Sequence, residues 1–242
     1  MLYCVSYNFE TIVNIIFTCE HAGNTVPPSY GHFFKGQEDV LQSHRGWDPG
    51  AVEVARYLSD QLAAPLWVCE TTRLLVEPNR SLHNDALFSE YVKALTDSER
   101  EHILEQYYHP HRSAVEDLIE RAAQPTLHLA IHSFTPVLNG VTRTVDVGLL
   151  FDPSRKNETE FCRRYAEALE QYLPAMSIQF NAPYKGIDDG FPTYLRTVFP
   201  DECYVGIEVE INQKYIGTKE WEPITHALKN GIAKVLDELP YL

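Results

Sequence analysis

The chain reads as a single α/β domain, spanning residues 1–242, built on a parallel or mixed sheet whose central strands are buried on both faces. Two stretches carry that reading. Leu127-His128-Leu129-Ala130-Ile131-His132 alternates by two with little charge on either face, and Tyr204-Val205-Gly206-Ile207-Glu208-Val209-Glu210-Ile211-Asn212 is an otherwise apolar strand with its polar residues gathered on one face. The third observation is length: 242 residues suffice for one sizeable core, and no shift in composition marks a second domain.

In chain order, Thr11 to Cys19 is β-branched and apolar and reads as a first core strand, broken by Glu20-His21-Ala22-Gly23-Asn24. A long excursion to about Ser43 follows, able to wall one side of a pocket. Asp48-Pro49-Gly50-Ala51 has the grammar of a helix start, with Asp48 as N-cap and Pro49 at the first helical position, and the helix stops before Pro65. Pro65 to Glu70 is a second strand, and Thr71 to Val76 a further extended piece, closed by Glu77-Pro78-Asn79-Arg80-Ser81.

Asn84 to Arg121 reads as helical, with Thr96-Asp97-Ser98-Glu99 as a capping signal and His109-Pro110-His111 as a helix start or loop rather than a metal site. After the His132 strand, Asn139-Gly140 turns the chain, and Val141 to Phe151 returns as a strand with Arg143 at its beginning. Glu158 to Leu173 is an amphipathic helix, Met176 to Phe180 an edge strand, Ala182 to Gly190 a polar loop suited to the substrate side, and Glu222 to Leu239 a closing helix.

Composition narrows the function. A formal charge of −14 lacks the basic face that nucleic acid requires and favours a small-molecule substrate. No run of about 18 apolar residues is present to cross a bilayer, and Met1 to Thr18 lacks the pattern of a signal peptide. The five cysteines, Cys4, Cys19, Cys69, Cys162 and Cys203, are scattered and lie mostly in apolar runs, which reads as reduced thiols in a cytoplasmic protein.

The polar residues that interrupt the apolar runs carry the chemistry. His21 and His132 follow or close strands, and strand ends are where ligands bind in such sheets. Each is a core histidine as readily as a ligand when taken alone. Asp48, at a helix start after a strand and a loop, is the acid that one crossover unit can offer together with His21. Glu208, Glu210 and Asn212 share one face of an otherwise apolar strand, and carboxylates there are costly without a partner or a task. Arg80, with Asn79 beside it at the end of an apolar run, makes a carboxylate clamp. Two histidines, an acid, a buried glutamate and strand-end arginines are the parts of a mononuclear zinc hydrolase.

The segments Cys19-Glu20-His21-Ala22-Gly23-Asn24, His44-Arg45-Gly46-Trp47-Asp48-Pro49-Gly50-Ala51, Pro78-Asn79-Arg80-Ser81, Ile131-His132-Ser133-Phe134-Thr135-Pro136 and Glu208-Val209-Glu210-Ile211-Asn212-Gln213 resemble those of the N-formylglutamate amidohydrolase family. The Ile-His-Ser strand also looks like that of zinc carboxypeptidase-type enzymes, and Asn79-Arg80 like the carboxylate-binding pair of the aspartoacylase group. The resemblance implies a three-layer αβα sandwich of the phosphorylase/hydrolase kind with a mixed, mostly parallel sheet. It implies one zinc ion held by His21, Asp48 and His132, with Glu210 as general base and Asn79, Arg80 and Arg143 on the substrate carboxylate. Glu20 and Glu208 are further candidates beside the metal. The implied activity is hydrolysis of the amide of an N-acyl amino acid such as N-formylglutamate.

One segment departs from the pattern: Gly186-Ile187-Asp188-Asp189-Gly190 stands where dedicated deformylases carry Gly-Gly-Tyr, which leaves the substrate open. Two other classes remain at this stage, a metal-independent thiol hydrolase using Cys19 and His21 and a non-catalytic carboxylate-binding relative.

Overall fold

A computed structural model describes residues 14–122 and 124–238. The elements in chain order are β1 Asn14–Cys19, α1 Glu38–Leu41, α2 Ala51–Leu62, β2 Leu66–Val68, α3 Asp97–Ile103, α4 His109–Arg121, β3 Thr126–Phe134, β4 Val137–Leu138, β5 Val141–Thr142, β6 Val147–Leu150, α5 Lys156–Tyr172, β7 Ile178–Phe180, α6 Phe191–Val198, β8 Tyr204–Asn212 and α7 Trp221–Asp237. Residues 11–13 of the first expected strand and Leu239 of the last helix lie outside the described residues.

Six strands form one sheet in the order β2-β1-β3-β8-β6-β7. The pairs β1–β2, β1–β3, β3–β8 and β6–β7 are parallel, and β6 meets β8 antiparallel, so the sheet is mixed. The nine residues each of β3 and β8 are all buried, which is why their sequences carry so little charge.

The period of two assigns each face of the sheet a different task. Phe17, Cys19, Leu127, Leu129, Ile131, Val147, Leu149, Val205, Ile207, Val209 and Ile211 form one apolar core with residues of α2, α5 and α7. On the other face Ile16 and Tyr204 pack with Val115 and Ile119 of α4 and Phe191, Leu195 and Phe199 near α6. These are the layers of an αβα sandwich. The same second face carries His128, His132, Glu208 and Glu210, and the register sets His132 beside Glu210. No helix among the described residues is long and apolar enough to cross a membrane.

Several expectations need correction. Asp48 is not the N-cap of α2. Gly50 holds that position at φ +82°, where a Cβ would also meet the Trp221 ring at 2.8 Å, and this frees the Asp48 carboxylate for other partners. Thr71 to Val76 is not a strand: only Thr71 bridges, to Thr25, and the chain then turns to send Leu74, Leu75 and Val76 into a separate cluster with Tyr30, Phe34, Leu87, Val92, Leu95 and Tyr108. The Asn84 to Arg121 region is not one helix but a 3-10 turn at Glu90–Val92, α3 behind the Thr96/Glu99 capping box, a π-helical stretch Leu104–Tyr108, and α4. Val141 to Phe151 divides into β5, which makes a hairpin with β4 around the Asn139-Gly140 turn, and β6 in the main sheet. Cys19, Cys69 and Cys162 are free, whereas Cys203 is disulfide-bonded; Cys4 lies outside the described residues.

His128 illustrates how the polar face is kept in order below the site. Its Nε2 lies 2.7 Å from Thr18 Oγ1 and its Nδ1 2.7 Å from Tyr204 Oη. Burial, only partly offset by Glu20, pulls its pKa down to about 4. The unfolded chain takes up a proton here near pH 6.5, before the folded state does, so stability falls as the pH drops through that window. The contribution lost is about 3 kcal/mol at most. We expect the urea-unfolding free energy of His128→Gln, lower overall, to fall less between pH 7 and pH 4.5 than that of the parent protein. Equal slopes would contradict the assignment.

Candidate functional site

The site lies toward the carboxyl ends of β1, β3 and β8, the side on which open α/β sheets bind ligands. His21 stands two residues past β1, and its backbone carbonyl accepts the Asp48 N–H at 3.0 Å, so the loop before α2 is tied to that strand end. His132 projects from within β3, which continues to Phe134.

His21 Nδ1 and His132 Nδ1 converge on the same atom, Asp48 Oδ2, at 3.1 and 2.9 Å. One donor atom from each of the three residues lies within 4.8 Å of the others, and all three residues are buried. A tetrahedral zinc site with bonds of 2.0–2.2 Å has donors roughly 3.3 Å apart, so the set fits a single cation.

The opposite ring nitrogens face carboxylates. His21 Nε2 is 2.5 Å from Glu77 Oε1, and His132 Nε2 is in an ion-pair contact with Glu20 Oε2 at 3.1 Å. Glu20 Oε1 is also 3.2 Å from His111 Nε2. A carboxylate behind a ring that takes the proton on Nε2 would leave the Nδ1 lone pair for a metal. Burial opposes ionisation throughout this cluster, yet its own pairings prevail. Asp48 and Glu77 are held below the usual carboxylate range by His21 and, for Glu77, first by Arg73, while His132 is raised by Asp48 and Glu20.

Glu210 differs. Its Oε2 is buried without a hydrogen-bond partner, and burial together with Asp48 and Glu208, against the opposing pull of His132, pushes its pKa up to about 8. Its neighbour Gly148 has no room for a side chain: a Cβ there would lie 2.1 Å from Ala182 O and 3.3 Å from Glu210 Cβ. Glu208, two residues earlier on the same face, has its Oε1 occupied by Asn79 Nδ2 at 3.1 Å.

A cleft of about 320 Å³ opens onto these groups, and Arg45, Arg73, Arg80, Tyr184 and Lys185 are among the residues lining it. Asn79 lines it too, but its Oδ1 accepts from Phe191 N at 2.6 Å and one Nδ2 hydrogen goes to Glu208, leaving the second for a ligand. Arg80 spends NH1 on the carbonyls of Asn79 and Asp189, at 2.8 and 2.7 Å. Arg143 follows β5 and reaches the cleft through Tyr184, donating to its hydroxyl at 3.0 Å. The Gly186 to Gly190 segment is fastened rather than loose: the Asp189 carboxylate accepts from Ser81 and Asn84, and Gly186 O accepts from Arg196.

A sequence model described as N-formylglutamate amidohydrolase matches residues 13–217. The chain belongs to the N-formylglutamate amidohydrolase family. Membership places this amidohydrolase among enzymes that cleave amide bonds and act on small molecules. A gene product of Agrobacterium tumefaciens has a similar crystal structure, with 26% identity over 95% of this chain and 94% of that one and a TM-score of 0.74. The N-formylglutamate amidohydrolase of Ralstonia eutropha aligns over 94% of each chain with 16% identity and a TM-score of 0.58, a likeness of fold. No curated protein matches the chain.

Within this family member the sequence reading missed Arg73 and Glu77, which pair at 2.5 Å, Glu77 meeting His21 and Arg73 meeting Asp48. Opposite charges bracketing the apolar Leu74-Leu75-Val76 were the available signal. Cys19 projects into the core on the face away from Glu210 and is fully buried, and burial raises its thiol well above the usual range. A thiolate nucleophile at this position has no physical support.

Proposed function

We propose that the chain, as one domain over residues 1–242, is a zinc-dependent amidohydrolase that hydrolyses the amide of a small N-acyl amino acid, N-formylglutamate being the first to test. The observation that carries this reading is the convergence of His21 and His132 on Asp48 beside the unpartnered Glu210. His21, Asp48 and His132 would hold the ion. When bound, zinc supplies Lewis acidity toward the amide carbonyl and makes water more acidic.

The protein's own groups do the rest. Arg80 offers its remaining N–H groups to the substrate carboxylate, Arg143 reaches the cleft through Tyr184, and Asn79 adds one amide hydrogen. This fixes the scissile carbonyl over the His-Asp-His cluster. Glu210 takes the proton of the attacking water and returns it to the departing nitrogen as the C–N bond breaks, releasing the carboxylic acid and the free amino acid. Glu208 is held by Asn79, which suits it to orientation rather than proton transfer.

Recognition of a carboxylate is tested by Arg80→Lys, which keeps the charge and loses the fork. We expect kcat/KM toward N-formyl-L-glutamate to fall by about 10- to 100-fold, equivalent to a charged hydrogen bond of about 1.5–3 kcal/mol. Unchanged kinetics, or a neutral amide analogue cleaved as well as the acid, would remove Arg80 from the substrate site.

A further inference from the structure

Arg80 stands on a stretch with no regular structure, and an arginine binds a carboxylate bidentately only when its plane is held in one orientation. What fixes this stretch lies behind it. Two of its carbonyls face donors there: Pro78 O accepts from Arg112 NH1 at 3.1 Å, and Arg80 O from Tyr108 Oη at 2.7 Å with Arg112 NH1 at 3.5 Å, while the carbonyl between them, Asn79 O, accepts from the Arg80 guanidinium itself at 2.8 Å. The Asn79 N–H is taken by Glu77 at 3.0 Å. The inward-facing groups of the stretch are thus satisfied, and the Arg80 side chain is turned to the cleft.

Arg112 is an unusual choice for such a support. It is only 4% exposed, and its NH1 serves carbonyls rather than a carboxylate. Its guanidinium lies over the rings of Tyr194, Phe191 and Tyr108 at 4.4, 4.5 and 4.9 Å. Burying a charge in that way is costly unless the position has a task. Phe191 ties the arrangement together, because its backbone N–H also holds the Asn79 side chain. Tyr108 closes the π-helical stretch Leu104–Tyr108, and Arg112 lies one turn further, on the same inward side.

We propose that Arg112, with Tyr108, is a positioning residue for carboxylate recognition: together they lock the Pro78–Arg80 backbone so that the Arg80 guanidinium meets the substrate in one orientation. The inference rests on the reading of Arg80 as the carboxylate-binding residue. It confers no contact with substrate on either supporting residue.

The test compares Arg112→Lys, Tyr108→Phe and, as the reference, Arg80→Ala, on N-formyl-L-glutamate and on its uncharged diamide. Tyr108→Phe removes one hydroxyl, so it keeps the test valid even if Arg112→Lys folds poorly. Loss of one hydrogen bond predicts a rise in KM for the acid of about 3- to 10-fold in Tyr108→Phe, and tenfold or more is expected in Arg112→Lys. In both, kcat, zinc content and kcat/KM for the diamide should stay near those of the parent. If Arg80→Ala raises KM for the acid while neither supporting variant does, the inference falls and the reading of Arg80 stands. The inference also falls if the supporting variants lose activity equally on both substrates, which marks a structural role only. If Arg80→Ala leaves KM unchanged, the reading of Arg80 fails and the inference with it.

Discussion

Glu210→Gln is expected to lower kcat by about 10²–10⁴-fold, the usual worth of a positioned acid–base group. The argument is one of place. Glu210 sits beside His132 across the β3–β8 pair, and its Oε2 is buried without a hydrogen-bond partner, where burial together with Asp48 and Glu208 raises its pKa above the usual carboxylate range. Glutamine keeps the volume and the single carbonyl oxygen but cannot accept the proton. Bound zinc should stay, since the residue is not assigned to the ion. Glu208→Gln is the internal comparison: it shares the strand and the face, but its Oε1 already serves Asn79, and it should cost less. A Glu210→Gln enzyme with near-normal turnover, or a folded and metal-loaded Glu208→Gln enzyme that is the more impaired, would overturn the assignment.

His21→Ala and His132→Ala should each remove most of the metal from a protein expected to hold about one ion per chain. Each ring supplies a donor that faces Asp48 Oδ2 and is backed by a carboxylate, Glu77 for His21 and Glu20 for His132. Losing one ring removes a donor and leaves its backing carboxylate buried without that partner. Loss of a buried partner costs about 3–5 kcal/mol of stability, so circular dichroism must accompany the metal analysis. Zinc unchanged by elemental analysis in both variants would mean that the ligands lie elsewhere.

How much of this was legible in the chain depends on how local the signal is. β8 is readable residue for residue, because a strand buried on both faces must be apolar and its few polar residues then stand out. Asp48 is harder to read: a helix cap and a ligand call for the same residue type, and only the fold shows Gly50 at the cap and the carboxylate turned to the histidines. Leu74-Leu75-Val76 has the composition of a strand but packs as irregular chain, a distinction that short apolar runs cannot make. Arg73 and Glu77 escape for a related reason. Their pairing with each other lies on a turn rather than a helix, and the contact of Glu77 with His21 spans 56 positions, so no period betrays it.

The most direct test of the account is a zinc titration of chelator-stripped protein, following release of L-glutamate from N-formyl-L-glutamate. The account predicts that stripped protein is inactive and that activity returns linearly with added zinc up to about one equivalent per chain. His132→Ala should fail to recover at that stoichiometry. Full activity in the stripped protein, or the same recovery curve in His132→Ala as in the parent, would contradict it.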